Sequence, residues 1–265
     1  MTRLTMNKDV ECQRELLSDK ESNQQRAEEK SDYQKAPYFI ISLLIILICV
    51  HLSLPDNAHV WLEWPPGAWW REPWRLVTYS FVHVSASHFC LNALVALIVG
   101  WALEIEERWW RVLIVWVGGV VAGALGAGLL QPTVRVAGAS AAVYALLTAH
   151  IPNVFLRYNR IKLCWFRILS VVVLSGSELI WTLIEHSCAS NASVLAQSQQ
   201  HPVAWSAHLL GAIVGVLLGF IIFKVTEDNP YQFFNKICRI VSAVLLVLTI
   251  LAIITYYVVM ENLYN

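Results

Sequence analysis

Two residues of this sequence have the chemistry of a nucleophile and a base, and both lie in strongly hydrophobic segments. Ser140 lies near the start of one apolar run, and His208 lies near the start of another. A serine hydroxyl becomes a nucleophile when a neighbouring imidazole removes its proton. A Ser–His pair placed within hydrocarbon would therefore suit a protease that cleaves peptide bonds inside the membrane.

Three further side chains could support that pair. His88 and Asn92 are four residues apart in a third apolar run, so they lie on one face of a helix, where two donors could stabilise an oxyanion. Tyr144 is four residues after Ser140, which would put an aromatic ring beside the base that serves the serine. Each of these residues alone would more often make an interhelical hydrogen bond, and that alternative stays open for the group.

The composition predicts a membrane protein. Hydrophobic residues make up 57% of the 265 residues and charged residues 14%, with a mean hydropathy of +0.54. Helices are expected because backbone groups in lipid must be satisfied within each segment. We therefore predict an all-α membrane protein, a polytopic helical bundle. The runs long enough, or nearly long enough, to span are Tyr38 to Leu54, Ala86 to Leu103, Trp109 to Leu130, Gly138 to Leu156, Ile168 to Ile184, Val203 to Phe223 and Ile240 to Met260.

Basic residues predict the orientation of these seven runs, because cytoplasmic loops carry an excess of Lys and Arg. One alternating set of loops, which includes the N-terminal tail, holds nearly all of them, so we expect a cytoplasmic N-terminus. The other side has only Arg71, Arg75 and Arg135. The glycosylation sequon at Asn191 falls on this second side, which is therefore expected to be lumenal.

The second, fourth and sixth runs then all enter the membrane from the lumenal side. His88, Asn92, Ser140 and His208 lie within about the first two turns of these runs. Polar side chains inside a membrane are costly, and they usually face a protein interior or a water-filled cavity. The four side chains are therefore expected to share one shallow layer, and this layer is the predicted site.

Other classes of function are disfavoured. Residues 1–37 are polar with mixed charge and predict a disordered cytoplasmic tail. The net charge is zero and no basic patch is interleaved with aromatics, so no nucleic acid partner is expected. Six scattered cysteines predict neither a disulfide framework nor a metal site, no His-Glu-x-x-His occurs, and no cofactor is expected. A transporter or channel would require internal repeats or several midplane charges.

Between Trp74 and Phe223 the sequence resembles the rhomboid intramembrane serine proteases. The extra seventh helix, together with the run from Val143 to His150, resembles the animal secretase-type branch of that family. The motifs that carry the resemblance are Trp74-Arg75, His83 followed by His88-x-x-x-Asn92, Gly100-x-x-x-Glu104, Gly138-x-Ser140 with Tyr144, and Ala207-His208-x-x-Gly211-x-x-x-Gly215.

The resemblance implies a six-helix catalytic core over residues 38–224, then a cytoplasmic loop and one extra C-terminal transmembrane helix over residues 225–265. It implies Ser140 as nucleophile and His208 as base and leaving-group acid. Tyr144 is implied to stack on His208. The implied oxyanion hole consists of His88, Asn92 and the backbone N–H of Ser140.

The resemblance also implies a class of substrate and a compartment. The expected partners, besides the lipid bilayer, are single-pass transmembrane proteins of the secretory pathway, cleaved near the lumenal side. Precursors of EGF-like growth factors, which act on a receptor of neighbouring cells, are one candidate class. The loop from Pro55 to Ser85, rich in tryptophan, is expected to lie at the membrane interface. Glu178 in the fifth run is given no catalytic role.

One position departs from the family pattern. Ala141 follows the serine, where Gly-x-Ser-Gly is usual. An added methyl beside the nucleophile is expected to crowd the oxyanion pocket, since overpacking a tight site costs about 1 to 3 kcal/mol. The alternative function is therefore a catalytically weak or inactive rhomboid-like scaffold that binds and traffics membrane clients.

Overall fold

The structure is a computed structural model that describes residues 36–55, 59–65, 72–157, 165, 167–173, 176 and 204–264. Helices dominate these ranges, and the β-type pairing found within them is one isolated antiparallel bridge between Trp64 and Val136. The helices are α1 Tyr38–Ser53, α2 His59–Leu62, α3 Arg75–Thr78, α4 Ala86–Glu107, α5 Trp109–Leu130, α6 Ser140–Leu156, α7 Trp205–Ile222 and α8 Gln232–Tyr264.

The all-α polytopic bundle predicted from the sequence is confirmed. Among the residues that the structure describes, four helices, α4, α5, α7 and α8, are long and apolar enough to cross a membrane. The shorter apolar helices α1 and α6 have 16 and 17 residues, or about 25 Å each at 1.5 Å per residue. Within the fifth predicted run the structure describes residues 168–173 and 176, all helical, and the rest of the run lies outside the described residues.

The final helix is longer than predicted. The hydropathy pattern predicts a span from Ile240 to Met260, whereas α8 begins at Gln232 and has 33 residues. Hydropathy marks only the part of a helix that matches the hydrocarbon, and the added turns contain polar residues. In these turns Arg239 donates to the carbonyls of Phe220 and Phe223, at 3.1 and 2.8 Å. Those carbonyls end α7, so the extension has a defined tertiary role.

Contacts between helix ends establish the direction of each helix. Glu104 near the end of α4 accepts the N–H groups of Phe39 and Ile40, both at 2.8 Å, and so caps the start of α1. Helices α1 and α4 are therefore antiparallel. The alternation along the chain makes α4, α6 and α7 begin at one end of the bundle, which we call the site end.

Helix α6 is the centre of the bundle and is buried along most of its length. Its closest partner is α7, which approaches it through glycines. A Cβ atom at Gly211 or Gly215 would lie 2.2 Å from the carbonyl oxygen of Ala141 or Ala145. The two backbones therefore touch directly, as small residues allow in membrane bundles.

The opposite end of the bundle holds a network of ion pairs. Glu107, fully buried at the end of α4, accepts from Arg157 at 2.6 Å and from Arg111 at 2.8 Å. Its neighbour Glu106 pairs at 2.6 Å with Arg167, the first of the helical residues 167–173. Paired in this way, the two carboxylates are not left as isolated buried charges.

Candidate active site

Ser140 and His208 face each other across the contact between α6 and α7. The Oγ atom of Ser140 lies 2.7 Å from Nε2 of His208. Ser140 is the first residue of α6, and His208 lies in the first turn of α7. When Nε2 carries no proton, the serine hydroxyl donates to it, which is the arrangement that a serine nucleophile and its base require.

The pair lies well inside the bundle. The residue after the serine, Ala141, packs against Gly123 of α5, where a Cβ atom would come within 2.4 Å of the Ala141 methyl. Gly123 is seven residues before the end of α5 at Leu130, which is about 10 Å at 1.5 Å per residue. Ser140 therefore starts its helix about 10 Å below the site end of α5.

The turn that leads into α6 requires glycine. Gly138 has a φ of +116°, a conformation that disfavours any residue with a Cβ atom. Such a Cβ atom would also lie 2.8 Å from Cε1 of His88. Gly138 thus permits both the turn before the nucleophile and the close approach of the His88 ring.

Residues before α4 hold this turn in place. The N–H of Gly138 donates to the carbonyl of Tyr79 at 2.9 Å, and the N–H of Ala139 donates to Nε2 of His83 at 3.3 Å. Upstream, Trp64 and Val136 exchange two backbone hydrogen bonds of 2.9 and 3.0 Å. Three backbone N–H groups of the turn are therefore occupied before the chain reaches Ser140.

His83 can act as an acceptor only while it is neutral. Burial, together with charge repulsion from the nearby His88 and His51, lowers the pKa of His83 from 6.5 to about 4. His83 is therefore uncharged at neutral pH, with its Nε2 lone pair available to the Ala139 N–H.

The start of α6 offers backbone donors beside the nucleophile. Ala139 provides no side-chain cap, and the first helical bond runs from the N–H of Val143 to the carbonyl of Ala139. The N–H groups in the first turn of an α-helix have no partner within the helix, and they carry a partial positive charge. The Ser140 N–H is therefore placed to attract the oxyanion that forms on the substrate carbonyl oxygen when Oγ attacks the carbonyl carbon.

Asn92 differs in part from its prediction. Its amide group is buried but donates to the backbone carbonyl of His88 in the same helix, at 3.0 Å. The amide has two N–H groups, so the second remains for an oxyanion. His88 itself lies beside Gly138, as described above, with its N–H bonded to Ser85 Oγ at 3.2 Å.

Tyr144 lies against the candidate base. Its ring stacks on the imidazole of His208, with the centroids 4.8 Å apart and the planes 18° apart. This contact fixes the plane of the imidazole.

The structure bears on two further expectations about this region. The methyl of Ala141 is directed at Gly123 of α5 and is buried there, so it fills a space in the helix packing rather than crowding an oxyanion pocket. Trp64 is buried at 2% exposure because its backbone is bridged to Val136, whereas Trp61 is exposed and free to meet the interface. Trp69, Trp70, Glu178 and Asn191 lie outside the described residues.

The structure adds residues that the pattern of the sequence does not identify as parts of the site. Tyr79 holds the turn through its backbone carbonyl, which no side-chain motif can reveal. Gln131 and Thr148 bond to α7 on either side of His208. For Thr148 a signal exists, because it continues the four-residue spacing of Ser140 and Tyr144 along one face of α6.

The sequence matches one known protein family. A family model described as the Rhomboid domain matches residues 70–225. The chain is 28% identical over 199 residues to Rhomboid-related protein 1 of Caenorhabditis elegans, covering 73% of this chain and 52% of that protein. It is 26% identical over 206 residues to Inactive rhomboid-related protein 2 of the same organism, covering 74% and 57%.

A bacterial relative is similar over much of the same region. The chain is 26% identical over 202 residues to Rhomboid protease GlpG of Salmonella newport, covering 69% of this chain and 62% of that protein. The chain thus spans between 52 and 62% of the length of these three relatives.

Proposed function

Because this chain belongs to the rhomboid family, we propose that it is an intramembrane serine endopeptidase with Ser140 as nucleophile and His208 as base. One observation carries the proposal, namely the 2.7 Å separation of Ser140 Oγ and His208 Nε2 at a depth of about 10 Å. A serine and a histidine at this distance inside an apolar bundle could also serve as an interhelical hydrogen bond. Two observations favour the catalytic assignment. Tyr144 stacks on His208, and the helix that begins at Ser140 has no side-chain cap.

The reaction would proceed by acyl transfer. His208 Nε2 takes the hydroxyl proton as Ser140 Oγ attacks the substrate carbonyl carbon, and it returns the proton to the amine that leaves. This requires the tautomer of His208 with its proton on Nδ1. A water molecule then attacks the acyl-enzyme, with His208 again accepting and returning a proton.

The oxyanion would be held at the start of α6. The backbone N–H of Ser140 is oriented by the turn that Tyr79 and His83 hold, and the partial positive charge of the helix start adds to it. His88 and Asn92 would supply side-chain donors from α4. This set needs no metal or cofactor to stabilise the negative charge.

The proposed substrates are single-pass transmembrane proteins, because a site inside the bilayer can be reached by a chain that is itself in the membrane. A helix protects its own peptide bonds, so substrates with small or helix-breaking residues near the cleavage point should be favoured. We propose cleavage near the lumenal side in the secretory pathway, with EGF-like growth-factor precursors as the first class to test.

The direct test is co-expression with a tagged EGF-like precursor, together with labelling of the purified protein by a fluorophosphonate, which reacts with activated serines. Wild type should release a secreted fragment and become labelled, while Ser140→Ala and His208→Ala should do neither. Ser53→Ala is the matched control, since Ser53 is exposed on α1 and bonds within its own helix. Substantial cleavage by Ser140→Ala would end the serine-protease assignment.

A second candidate is a rhomboid-like scaffold that binds and traffics membrane clients without cutting them. The similarity to a relative whose name describes it as inactive favours it. The close Ser140–His208 pair favours the protease. A wild-type protein that retains co-purifying clients, yet takes no fluorophosphonate label, would make the scaffold the better account.

A further inference from the structure

Helices α6 and α7 carry one member each of the Ser140–His208 pair, so the relative height of the two helices sets the distance between Oγ and Nε2. No side chain separates the two helices at Gly211 and Gly215, which place the backbone of α7 directly on the backbone of α6. At this contact the glycines contribute no side chains that would resist sliding along the helix axis. Besides the stack of Tyr144 on His208, polar bonds from α7 to its neighbouring helices supply that resistance.

One such bond lies on the site-end side of His208. Helix α7 starts after Ala204, which provides no side-chain cap. Gln131, which ends α5, supplies the missing acceptor from another helix: its Oε1 accepts the N–H of Ser206 at 3.0 Å and the hydroxyl of Ser206 at 2.6 Å. Ser206 is fully buried and lies two residues before His208.

A second bond lies on the other side of His208. The hydroxyl of Thr148 is 2.7 Å from the carbonyl of Ala212, four residues after His208. It is also 3.0 and 3.4 Å from the carbonyls of Tyr144 and Ala145 in its own helix. A hydroxyl has one proton to donate, and the shortest of the three contacts is the one that joins α6 to α7.

We infer that Gln131 and Thr148 are positioning residues that fix the height of α7, and thereby hold His208 Nε2 at hydrogen-bond distance from Ser140. The inference rests on the proposed proteolytic function. Misplacement of a catalytic group by about 1 Å can lower a rate about 100-fold, so loss of either bond should lower kcat while leaving substrate binding intact.

The test uses the full chain in proteoliposomes with a transmembrane substrate, and each position receives two substitutions. Gln131→Met and Thr148→Val keep side-chain size but lose the hydrogen bond, and each should lower kcat roughly 10-fold or more at unchanged KM. Gln131→Glu and Thr148→Ser keep an acceptor or a hydroxyl and should return kcat to within about 3-fold of wild type. The rate of fluorophosphonate labelling should follow kcat in every variant.

Matched controls are available at the other end and on the outer surface of the bundle. Gln232→Met removes an exposed side chain that bonds near the start of α8, and Thr249→Val removes a hydroxyl bonded within α8. Both should leave kcat unchanged. Should Gln131→Met fail to fold, Ser206→Ala removes one of the two bonds and should give a smaller loss of kcat.

Three outcomes overturn the inference: an unchanged kcat in Gln131→Met and Thr148→Val, an equal loss in the Glu and Ser variants, or a rise in KM that accounts for the loss. All of these presuppose an active wild type, so they leave the proposed function intact. A wild type that neither cleaves nor becomes labelled would instead refute the proposed function, and the positioning role with it.

Discussion

The chemistry proposed for Ser140 depends on its neighbours more than on the residue itself. The serine starts a helix, so its own N–H is free of the helical ladder, and His208 lies 2.7 Å from its hydroxyl. Asn92, by contrast, uses part of its hydrogen-bonding capacity on the His88 carbonyl. Its contribution to the oxyanion hole should therefore be real but replaceable.

We expect Asn92→Ala to slow cleavage without abolishing it. Loss of one oxyanion donor lowers kcat about 100- to 1,000-fold at most, since the Ser140 N–H and His88 remain. His88→Ala should be at least as damaging, because its ring also packs on Gly138. The measurement is kcat on a transmembrane substrate, with the exposed Asn262→Ala as control. A kcat of Asn92→Ala equal to wild type would remove Asn92 from the site.

Ala141 and Gly123 form a complementary pair in which one side supplies a methyl and the other supplies the space for it. The Ala141 methyl is buried between α6 and α5. Its removal would leave a small void and place glycine inside a helix, each costing on the order of 1 kcal/mol. This argument replaces the steric one from the sequence, in which removal of the methyl would relieve crowding beside the nucleophile.

Ala141→Gly is therefore expected to lower the unfolding temperature and to give no gain in kcat. Gly123→Ala should be far more damaging, because its Cβ atom would meet the Ala141 methyl at 2.4 Å and the Tyr79 hydroxyl at 2.6 Å. The double variant should be more stable than Gly123→Ala alone, with a coupling of roughly 0.5 to 3 kcal/mol in a double-mutant cycle. Strictly additive effects, or a higher kcat in Ala141→Gly, would contradict this packing.

At the scale of elements, the sequence predicts which helices exist and where three of them start. The runs beginning at Ala86, Gly138 and Val203 correspond to helices that begin at Ala86, Ser140 and Trp205. Hydropathy suffices here because lipid imposes helices on apolar segments. The sequence also predicts that Ser140 and His208 lie close together, because of the alternating direction of the spans and the family resemblance.

Hydrogen bonds between segments that are far apart in the chain could not be predicted from the sequence. The Trp64–Val136 bridge and the Tyr79 carbonyl involve backbone atoms, which every residue has and no residue type marks. Gln131 ends α5 and caps α7, 75 residues further along the chain, so its role depends on how α5 and α7 pack. The rules that predict the start of a helix from sequence use only the residues next to that start, so they do not identify Gln131.

The bond between His83 and the turn before α6 makes a prediction about pH. Because the pKa of His83 is lowered from 6.5 to about 4 in the fold, the unfolded chain binds a proton at His83 in this range and the folded chain does not. Stability should therefore fall as pH falls from about 6.5 to about 4, with about 3 kcal/mol at most from this residue.

The measurement is the unfolding temperature in detergent across that pH range. His83→Gln keeps an acceptor for the Ala139 N–H but cannot titrate, so it should lose less stability than wild type on acidification. Other histidines titrate in both proteins, and the difference between the two curves isolates His83. Identical curves would show that His83 is not neutralised by its surroundings.

At the scale of the whole molecule, the two ends of the bundle differ in chemistry. The end opposite the site contains the buried Glu107 with Arg111 and Arg157, and Arg239 caps the last carbonyls of α7 there. The site end instead carries the turn before α6 and the start of α7. The buried ion pairs therefore lie at the end of the bundle away from Ser140 and His208.

Helix α6 ends and helix α7 begins at opposite ends of the bundle. Helix α6 finishes at the charged end, where the Leu156 carbonyl accepts from Thr226 and Asn229. Helix α7 starts at the site end, beside Gln131. The fifth predicted span, Ile168 to Ile184, lies between the two helices in the sequence, so we expect seven spans in total, with the N- and C-termini on opposite sides.

We therefore expect an N-terminal tag to be digested and a C-terminal tag to be protected when protease is added to sealed microsomal vesicles. Because cytoplasmic segments carry an excess of Lys and Arg, we expect the charged end to be cytoplasmic, which would put the start of α1 on that side and the end of α8, with Ser140 and His208, towards the lumen. Detergent should expose both tags equally, as the control for intact vesicles. Protection of the N-terminal tag would reverse the orientation and move the proposed cleavage to the cytoplasmic side, whereas digestion of both tags would contradict seven spans.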